Sequence, residues 1–288
     1  DKGVTISMAD VSIEERLGYM AAKADLILQL RLVLENEMDE QCFAKALDMV
    51  ETPLVPVLVK MQINGVSIDV NHLAQMSTEL GNEIKRNQDQ MYSLLGYEFN
   101  IGSSKQLADV LFNVLRLPQT KKTKTGFSTD ASAIEGLRKL MDRDAMNDVD
   151  PRSIEVLDRV LEYRQLTKIK STYVDSLPGQ IFEETGRIHT NYQQTGSATG
   201  RVSSNDPNVQ NIPVRTELGR RVRNAFVAQD APEWILLGAD YSQIELRVLA
   251  HLSLDPGLLE AFNKGVDIHS ATAASVFGVG VKEVTQNM

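Results

Sequence analysis

The stretch WILLGADYSQIELRVLAHLS, from Trp234 to Ser253, changes its apolar period in the middle. That change constrains the chain more than any other feature. Trp234 to Leu237 is a short apolar run closed by Gly238, of the length that suits a buried strand. After Tyr241, Ile244, Val248 and His251 share one helical face, and Glu245, Leu249 and Leu252 the adjacent one. The pattern predicts a strand ending near Asp240, a turn, and a helix from about Ser242. An acidic side chain then stands at a strand's carboxyl end, where open sheets admit ligands. A structural reading also fits: Ser242 and Glu245 match the S-x-x-E capping box, and Asp240 suits a turn.

From the start of the chain, residues 10–50 read as helices. Tyr19 to Leu34 is apolar-rich, and Glu35 to Glu40 reads as an acidic break. Pro53 and Pro56 open the next segment. Asn64-Gly65 between apolar runs predicts a small hairpin. A long helix follows from about Val70 to Leu95, striped by Leu73, Met76, Leu80, Ile84, Met91 and Leu95 and closed by Gly96. Ser103 and Gln106 fit a second capping box, for a helix through about Leu115. Residues 118–128 are polar, lack an apolar period and carry Lys121, Lys122 and Lys124. They read as a mobile loop, either merely solvated or touching phosphate.

Pro151 suits the start of a helix running to about Val174, with Ile154, Leu157 and Leu161 on its packed side. Arg164, Lys168 and Thr172 recur every four residues on another face, with Lys170 nearby. They suit either a helix dipole or an anionic partner. From Gly186 the pattern turns to short strands, beginning with Arg187 to Gln194. The glycine-rich stretch at 196–200 lacks the Gly-Lys-Ser/Thr ending of a phosphate-binding P-loop and is not one. Arg215, Arg220, Arg221 and Arg223 precede the predicted strand, and Asp255-Pro256-Gly257 reads as a turn.

A net charge of −9 argues against a nucleic-acid partner, but its distribution does not. Residues 1–100 hold 16 Asp and Glu against 8 Lys and Arg, whereas residues 164–223 hold 9 Lys and Arg against 5 Asp and Glu. A phosphate backbone meets the local surface, not the whole-chain charge. No apolar run approaches the length of a membrane span, so no membrane partner is expected. The single cysteine, Cys42, suits a reducing compartment.

DYSQIELRVLAHLS (240–253), TGRVSSNDPNVQNIP (199–213) and DIHS (267–270) together resemble the family A DNA polymerases of the bacterial DNA polymerase I type. The resemblance covers nearly the whole chain and is strongest over 199–253. It implies an α/β (α+β) multidomain, right-hand architecture with a helical thumb and an antiparallel-sheet palm, incomplete in this chain. Its segments are the end of a degenerate 3′–5′ exonuclease-like domain (1–50), a first palm segment (51–70), the thumb (71–175), the palm (176–253) and the start of the fingers (254–288). It implies cytoplasmic, bacterial template-directed DNA synthesis, with primer–template DNA and dNTPs as partners.

By the same resemblance, Asp240 and the Tyr241 carbonyl hold two Mg²⁺ ions, with Mn²⁺ as a possible substitute. Glu245 excludes the ribose 2′-hydroxyl, and Gln243 and His269 lie by the nucleotide. Arg201, Asn208, Gln210 and Asn211 approach the primer terminus and template. Donors there can test pairing geometry through minor-groove acceptors present on every base pair. Lys121, Lys122, Lys124, Arg164, Lys168 and Lys170 grip the backbone. The exonuclease motif departs from the family: Lys23 stands where a metal-binding aspartate is expected, and an ammonium cannot ligate Mg²⁺. Proofreading is therefore expected to be absent, unless a shifted register makes Asp25 the ligand.

The chain begins at Asp1 without a methionine and ends at Met288, before the family's second metal-binding aspartate. None of His72, His189, His251 and His269 is followed by Asp. A carboxyl-terminal polymerase segment is thus an expected partner, and the isolated chain is expected to be inactive. Two other readings fit parts of the pattern. One is a single-subunit RNA polymerase relative, against which Glu245 and the thumb motifs argue. The other is a non-catalytic template–primer-binding module.

Overall fold

The computed structural model describes residues 8–40, 43–123, 126–141, 150–229 and 233–285. Cys42, Lys124 and Met288 lie outside them. The chain is mostly helical and divides into two compact units, Asp1–Trp234 and Ile235–Met288.

The first unit opens with α1 (Ile13–Glu40), an unbroken helix of 28 residues. The expected acidic break at Glu35–Glu40 does not form. That stretch contains no Gly or Pro, its Glu and Met are good helix formers, and Arg31 Nε donates to Glu35 at 2.7 Å. Leu17, Ile27 and Leu30 of α1 are exposed. α2 (Ala44–Ala46) runs through a π-turn at Leu47–Glu51 into α3 (Thr52–Asn64).

Asn64-Gly65 ends α3 and does not turn a hairpin. Gly65 has φ +56°, and its N–H donates to the Met61 carbonyl at 3.1 Å. The chain then runs on to pair with distant strands. Val66 and Ile188 exchange two 2.9 Å backbone bonds, and β1 (Ser67–Ile68) pairs antiparallel with β8 (Phe226–Val227). A Cβ on Gly65 would stand 2.6 Å from the Ile188 carbonyl oxygen. Both the positive φ and the close approach therefore require glycine.

α4 (Val70–Leu95) has the predicted bounds. Asp69 caps it by accepting the His72 N–H at 2.9 Å, and Gly96 closes it at φ +81°. Its stripe divides between two apolar clusters. Leu73, Met76 and Leu80 pack with Leu166, Ile169, Tyr173, Val174 and Ile188. Met91 and Leu95 pack with residues of α5 (Ser104–Asp109), of the π-turn Val110–Val114, of α6 (Ala131–Met141) and of α7 (Ser153–Ile169). A fully buried side chain of this kind contributes about 1.5–3 kcal/mol. A surface ion pair such as Arg138–Asp158 contributes ~0–1 kcal/mol. Apolar packing, not surface charge, fixes this helical body.

Three local expectations change here. Ser103 accepts the Gln106 N–H, but the Gln106 side chain takes the Asn100 N–H at 2.7 Å, so only half the capping box forms. The polar stretch 118–128 is not a structureless loop, because β2 (Lys122–Thr123) and β3 (Gly126–Phe127) pair antiparallel within it. Phe127 stands edge-on to Phe112 at 5.4 Å, which gives the hairpin an apolar anchor. α7 begins two residues after Pro151, and Ile154 is exposed while Leu157 is buried.

A π-turn at Lys170–Val174 continues α7. The remaining strands are short: β4 (Ile181–Phe182) with β5 (Arg187–Ile188), and β6 (Asn191–Gln193) with β7 (Ser203–Asn205). α8 (Glu217–Arg223) is capped by Thr216, which accepts the Gly219 N–H at 3.1 Å.

In the second unit, α9 (Ile244–Ser253), α10 (Pro256–Asn263) and α11 (Ile268–Phe277) follow one another closely. The predicted strand at 234–237 is absent: these residues are unpaired, and Leu237 is 87% exposed. A strand needs partners for its N–H and C=O groups, and among the described residues none lies beside this one. The Asp255 turn is a helix start, its carboxylate accepting the Leu258 N–H at 2.8 Å. The Ser242–Glu245 box also does not form at the start of α9. Gln243 occupies the N-cap position in the left-handed conformation, φ 53°, without a side-chain cap, and the helix begins at Ile244.

Candidate nucleic-acid and nucleotide sites

A groove of about 870 Å³ in the first unit is lined by Lys168, Thr172 and Tyr173 on one side and Asn205, Asp206, Asn208 and Asn211 on the other. Helical periodicity brings Lys168 and Thr172 to its helical wall. The facing wall is the 199–213 loop, whose shape comes from its own polar side chains. Asn208 Oδ1 accepts the N–H groups of Gln210 (3.1 Å) and Asn211 (3.2 Å), forming an Asx turn. Backbone N–H groups require an acceptor, so this fixes which amide atom is which. It leaves the Asn208 NH₂ donors to be presented elsewhere. Gln210 Nε2 donates to the Val202 carbonyl at 2.8 Å.

The loop is anchored from three directions. The Tyr173 hydroxyl donates to the Asn211 carbonyl at 2.6 Å, Thr190 Oγ1 to Pro207 O at 2.5 Å, and Arg223 Nη2 to Ile212 O at 3.0 Å. Ile212 itself is buried in the second apolar cluster. Gly219 of α8 lets the end of the loop approach, since a Cβ there would stand 2.1 Å from the Pro213 carbonyl oxygen. The sequence reading missed Tyr173, Thr190 and Gly219. Only the T-E-L-G start of α8, with Thr216 as its cap, signals any of this in the sequence.

The cationic residues fall into different settings. Lys168 is exposed, and its ammonium has no ion-pair partner among the described residues. Lys170 donates to Asp175 at 2.8 Å and to Ser77 Oγ at 2.7 Å. Burial pushes the Asp175 carboxyl up, but the bonds from Lys170 and from the Ser77 hydroxyl, which donates to Asp175 Oδ1 at 2.7 Å, hold it below its usual range. Arg164 turns inward to Thr129. Lys121 and Lys122 are exposed at the β2–β3 hairpin, and Lys124 is outside the described residues. Arg201 is exposed near the loop's start. Arg221 pairs with Glu79.

The second unit carries the acidic turn. Asp240 and Tyr241 are exposed in the segment before α9, as is Glu245 in its first turn. Gln243 Nε2 donates to Asp267 Oδ1 at 2.8 Å. Asp267 also accepts the N–H and hydroxyl of Ser270, capping α11. The Ser270 N–H, then the Gln243 amide, hold its carboxyl below the usual range. This bond joins the 240–243 turn to the helix carrying His269. His269 lines a groove of about 460 Å³ with Ser270, Thr272, Ala273, Val276 and Phe277. Two predicted nucleotide-site segments thus meet through Asp267. Its D-x-x-S pattern is a readable cap signal in the sequence. Arg247 stabilises the turn from behind, donating to Ser242 O at 2.8 Å and lying 4.6 Å over the Phe262 ring.

A pair of Mg²⁺ ions does not fit these residues alone. Bridging two ions takes more than one carboxylate, and among the described residues no group of three or more His, Cys, Asp or Glu side chains could hold a metal. No described helix is long and apolar enough to cross a membrane.

Residues 70–288 match the family model for DNA polymerase family A. DNA polymerase I of Pseudomonas aeruginosa is 45% identical over 281 residues, 97% of this chain and 29% of that protein. The thermostable DNA polymerase I of Thermus thermophilus is 48% identical over 272 residues, 94% of this chain and 31% of that protein. The chain therefore spans less than a third of these relatives. Among solved structures, the POL domain of Pol1 from M. smegmatis, in complex with DNA primer-template and dNTP, is similar with a TM-score of 0.77 and 41% identity. That match covers 90% of this chain and 43% of that one. The chain belongs to DNA polymerase family A, of the bacterial DNA polymerase I type.

Proposed function

We propose that this chain supplies the template–primer-binding part of a DNA polymerase and contributes Asp240 to its nucleotidyl-transfer site. In this reading residues 1–50 are the end of an exonuclease-like domain without proofreading activity. Residues 51–70 and 176–253 are palm, 71–175 thumb and 254–288 the start of the fingers. The reaction is transfer of a nucleotide from a dNTP to a primer 3′-hydroxyl. Mg²⁺, when bound, would neutralise the charge that develops on the phosphates. Asp240 and the Tyr241 carbonyl would supply part of its ligand set, and further carboxylates would complete it.

The groove beside Lys168 is the observation that carries the DNA-binding reading. One cation stands opposite an Asn208 side chain whose oxygen already accepts two backbone N–H groups, which leaves its amide donors for a ligand. A lysine supplies sequence-independent attraction to phosphate, and amide donors test base-pair geometry. Asp206 also lines the groove, which keeps the local charge modest. In the second unit, Gln243 and His269 flank Asp267 and are assigned to the nucleotide, with Glu245 as the group that rejects a 2′-hydroxyl.

Fluorescence anisotropy with a labelled primer–template tests this. The chain should bind with strong salt dependence, and Lys168→Met should lower the slope of log K against log salt by about 1 for every sequence. An unchanged slope would remove Lys168 from the interface.

A further inference from the structure

We infer that Arg164 is a positioning residue that fastens the base of the β2–β3 hairpin to α7, so that Lys121 and Lys122 meet the phosphate backbone together with Lys168. The inference rests on the DNA-binding reading above and gives Arg164 a different task from the lysines. Arg164 Nη1 donates to the Thr129 carbonyl, and Nη2 reaches Thr129 Oγ1 at 3.4 Å. Thr129 is buried. Desolvation pushes the Arg164 pKa down, against the pull of Asp130, as expected for a half-buried guanidinium.

Thr129 is the point from which two elements hang. On one side, the Ser128 carbonyl accepts the Thr120 hydroxyl at 2.6 Å, and the Ser128 N–H donates to Lys121 O at 2.9 Å. These bonds close the base of the hairpin that carries Lys121 and Lys122. On the other side, Asp130 accepts the hydroxyls of Ser128 (2.6 Å) and Ser132 (2.7 Å) and the Ala133 N–H (2.7 Å), starting α6. Lys168 lies one turn beyond Arg164 on α7 and lines the groove. An arginine with two donors committed to Thr129 serves the interface by holding the hairpin in place. Lysine at 164 could not match this planar, two-pronged contact.

The test combines salt-dependent DNA binding with amide hydrogen exchange. Lys121→Met/Lys122→Met should lower the salt slope by about 2. Arg164→Met alone should lower it by a similar amount, and adding it to the lysine pair should change little further. Exchange at the Ser128 amide should accelerate in Arg164→Met while the amides of α4 stay protected. If α4 also loses protection, both readouts are taken on Arg164→Lys, which keeps the charge and should show the same pattern at smaller amplitude.

A fall of about 1 that adds to the loss from the lysine pair, with Ser128 exchange unchanged, would make Arg164 a direct phosphate contact and overturn the inference. An unchanged slope in the lysine double variant would also overturn it. Lys168→Met separates the cases: a normal effect there leaves the DNA-binding reading standing while the positioning role fails.

Discussion

The groove wall at 199–213 and the acidic turn at 240–243 carry the strongest sequence motifs, yet they are built in opposite ways. The groove loop is closed on itself by Asn208 and Gln210 and pinned by Tyr173, Thr190 and Arg223. Beneath it lies a cluster in which Leu73, Leu80 and Val222 are fully buried. The acidic turn follows an unpaired apolar segment, and on α9 Ala250 is the buried side chain while Leu252 is 75% exposed. Residues assigned to DNA are thus supported from within the chain. Residues assigned to chemistry sit on a surface that needs further cover. A binding surface can be finished locally, whereas a site needing several carboxylates and a central strand gathers residues from distant parts of a sequence.

The largest effect expected is at Asp240. In a polymerase completed by a carboxyl-terminal segment, Asp240→Ala should abolish primer extension while leaving DNA binding by the groove intact, as read by extension and anisotropy on one preparation. Loss of both would mean that the two regions are not separable. In the same completed enzyme, Glu245→Ala should raise ribonucleotide incorporation relative to deoxyribonucleotide by roughly 100-fold, the scale of discrimination by a steric pocket. An equal loss of both activities would make Glu245 a structural group.

Stability should show the same contrast. Leu107, completely buried against α6 and α7, should cost about 2–5 kcal/mol when changed to Ala. Leu237→Ala should stay within about 0.5 kcal/mol, as at a surface position. Urea denaturation measures both, and a large cost at Leu237 would show that 234–237 is covered in solution. A smaller effect concerns acid. Three hydrogen bonds, from Ser128, Ser132 and Ala133, lower the Asp130 carboxyl to about 2, below the ordinary carboxylate range. A depressed pKa contributes stability that is present above the unfolded value and lost as pH falls through the folded one. Protection of the α6 amides should therefore decline between about pH 4 and pH 2, and Asp130→Asn should remove that dependence.

Local signals in the sequence were read well. The bounds of α4, its apolar stripe and its Gly96 cap follow from a 3.6-residue period and a left-handed glycine, both properties of adjacent residues. Three failures needed distant partners, whereas the acidic break at Glu35–Glu40 and the loop at 118–128 failed on local grounds. Asn64-Gly65 carries a hairpin signal, but Val66 bonds to Ile188, more than a hundred residues away. Trp234–Leu237 has the composition of a strand but no neighbour to pair with among the described residues. Ser242 and Glu245 have capping-box spacing, but Gln243 is left-handed and tied to Asp267. At the site, the motifs identified the residues and not their supports: nothing near Asn211 in the sequence points to the Tyr173 hydroxyl.

The central proposal is that this chain holds primer–template DNA by its own groove, whereas Asp240 needs further carboxylates, not gathered with it among the described residues, to transfer a nucleotide. One assay tests it most directly: purified residues 1–288 with a labelled primer–template, Mg²⁺ and dNTPs, read for complex formation and primer extension in the same tube. The account predicts a salt-sensitive complex weakened by Lys168→Met, no extension, and extension restored only when a complementary carboxyl-terminal polymerase segment is added. Extension by the chain alone, lost on Asp240→Ala, would contradict it and require a second carboxylate within these residues.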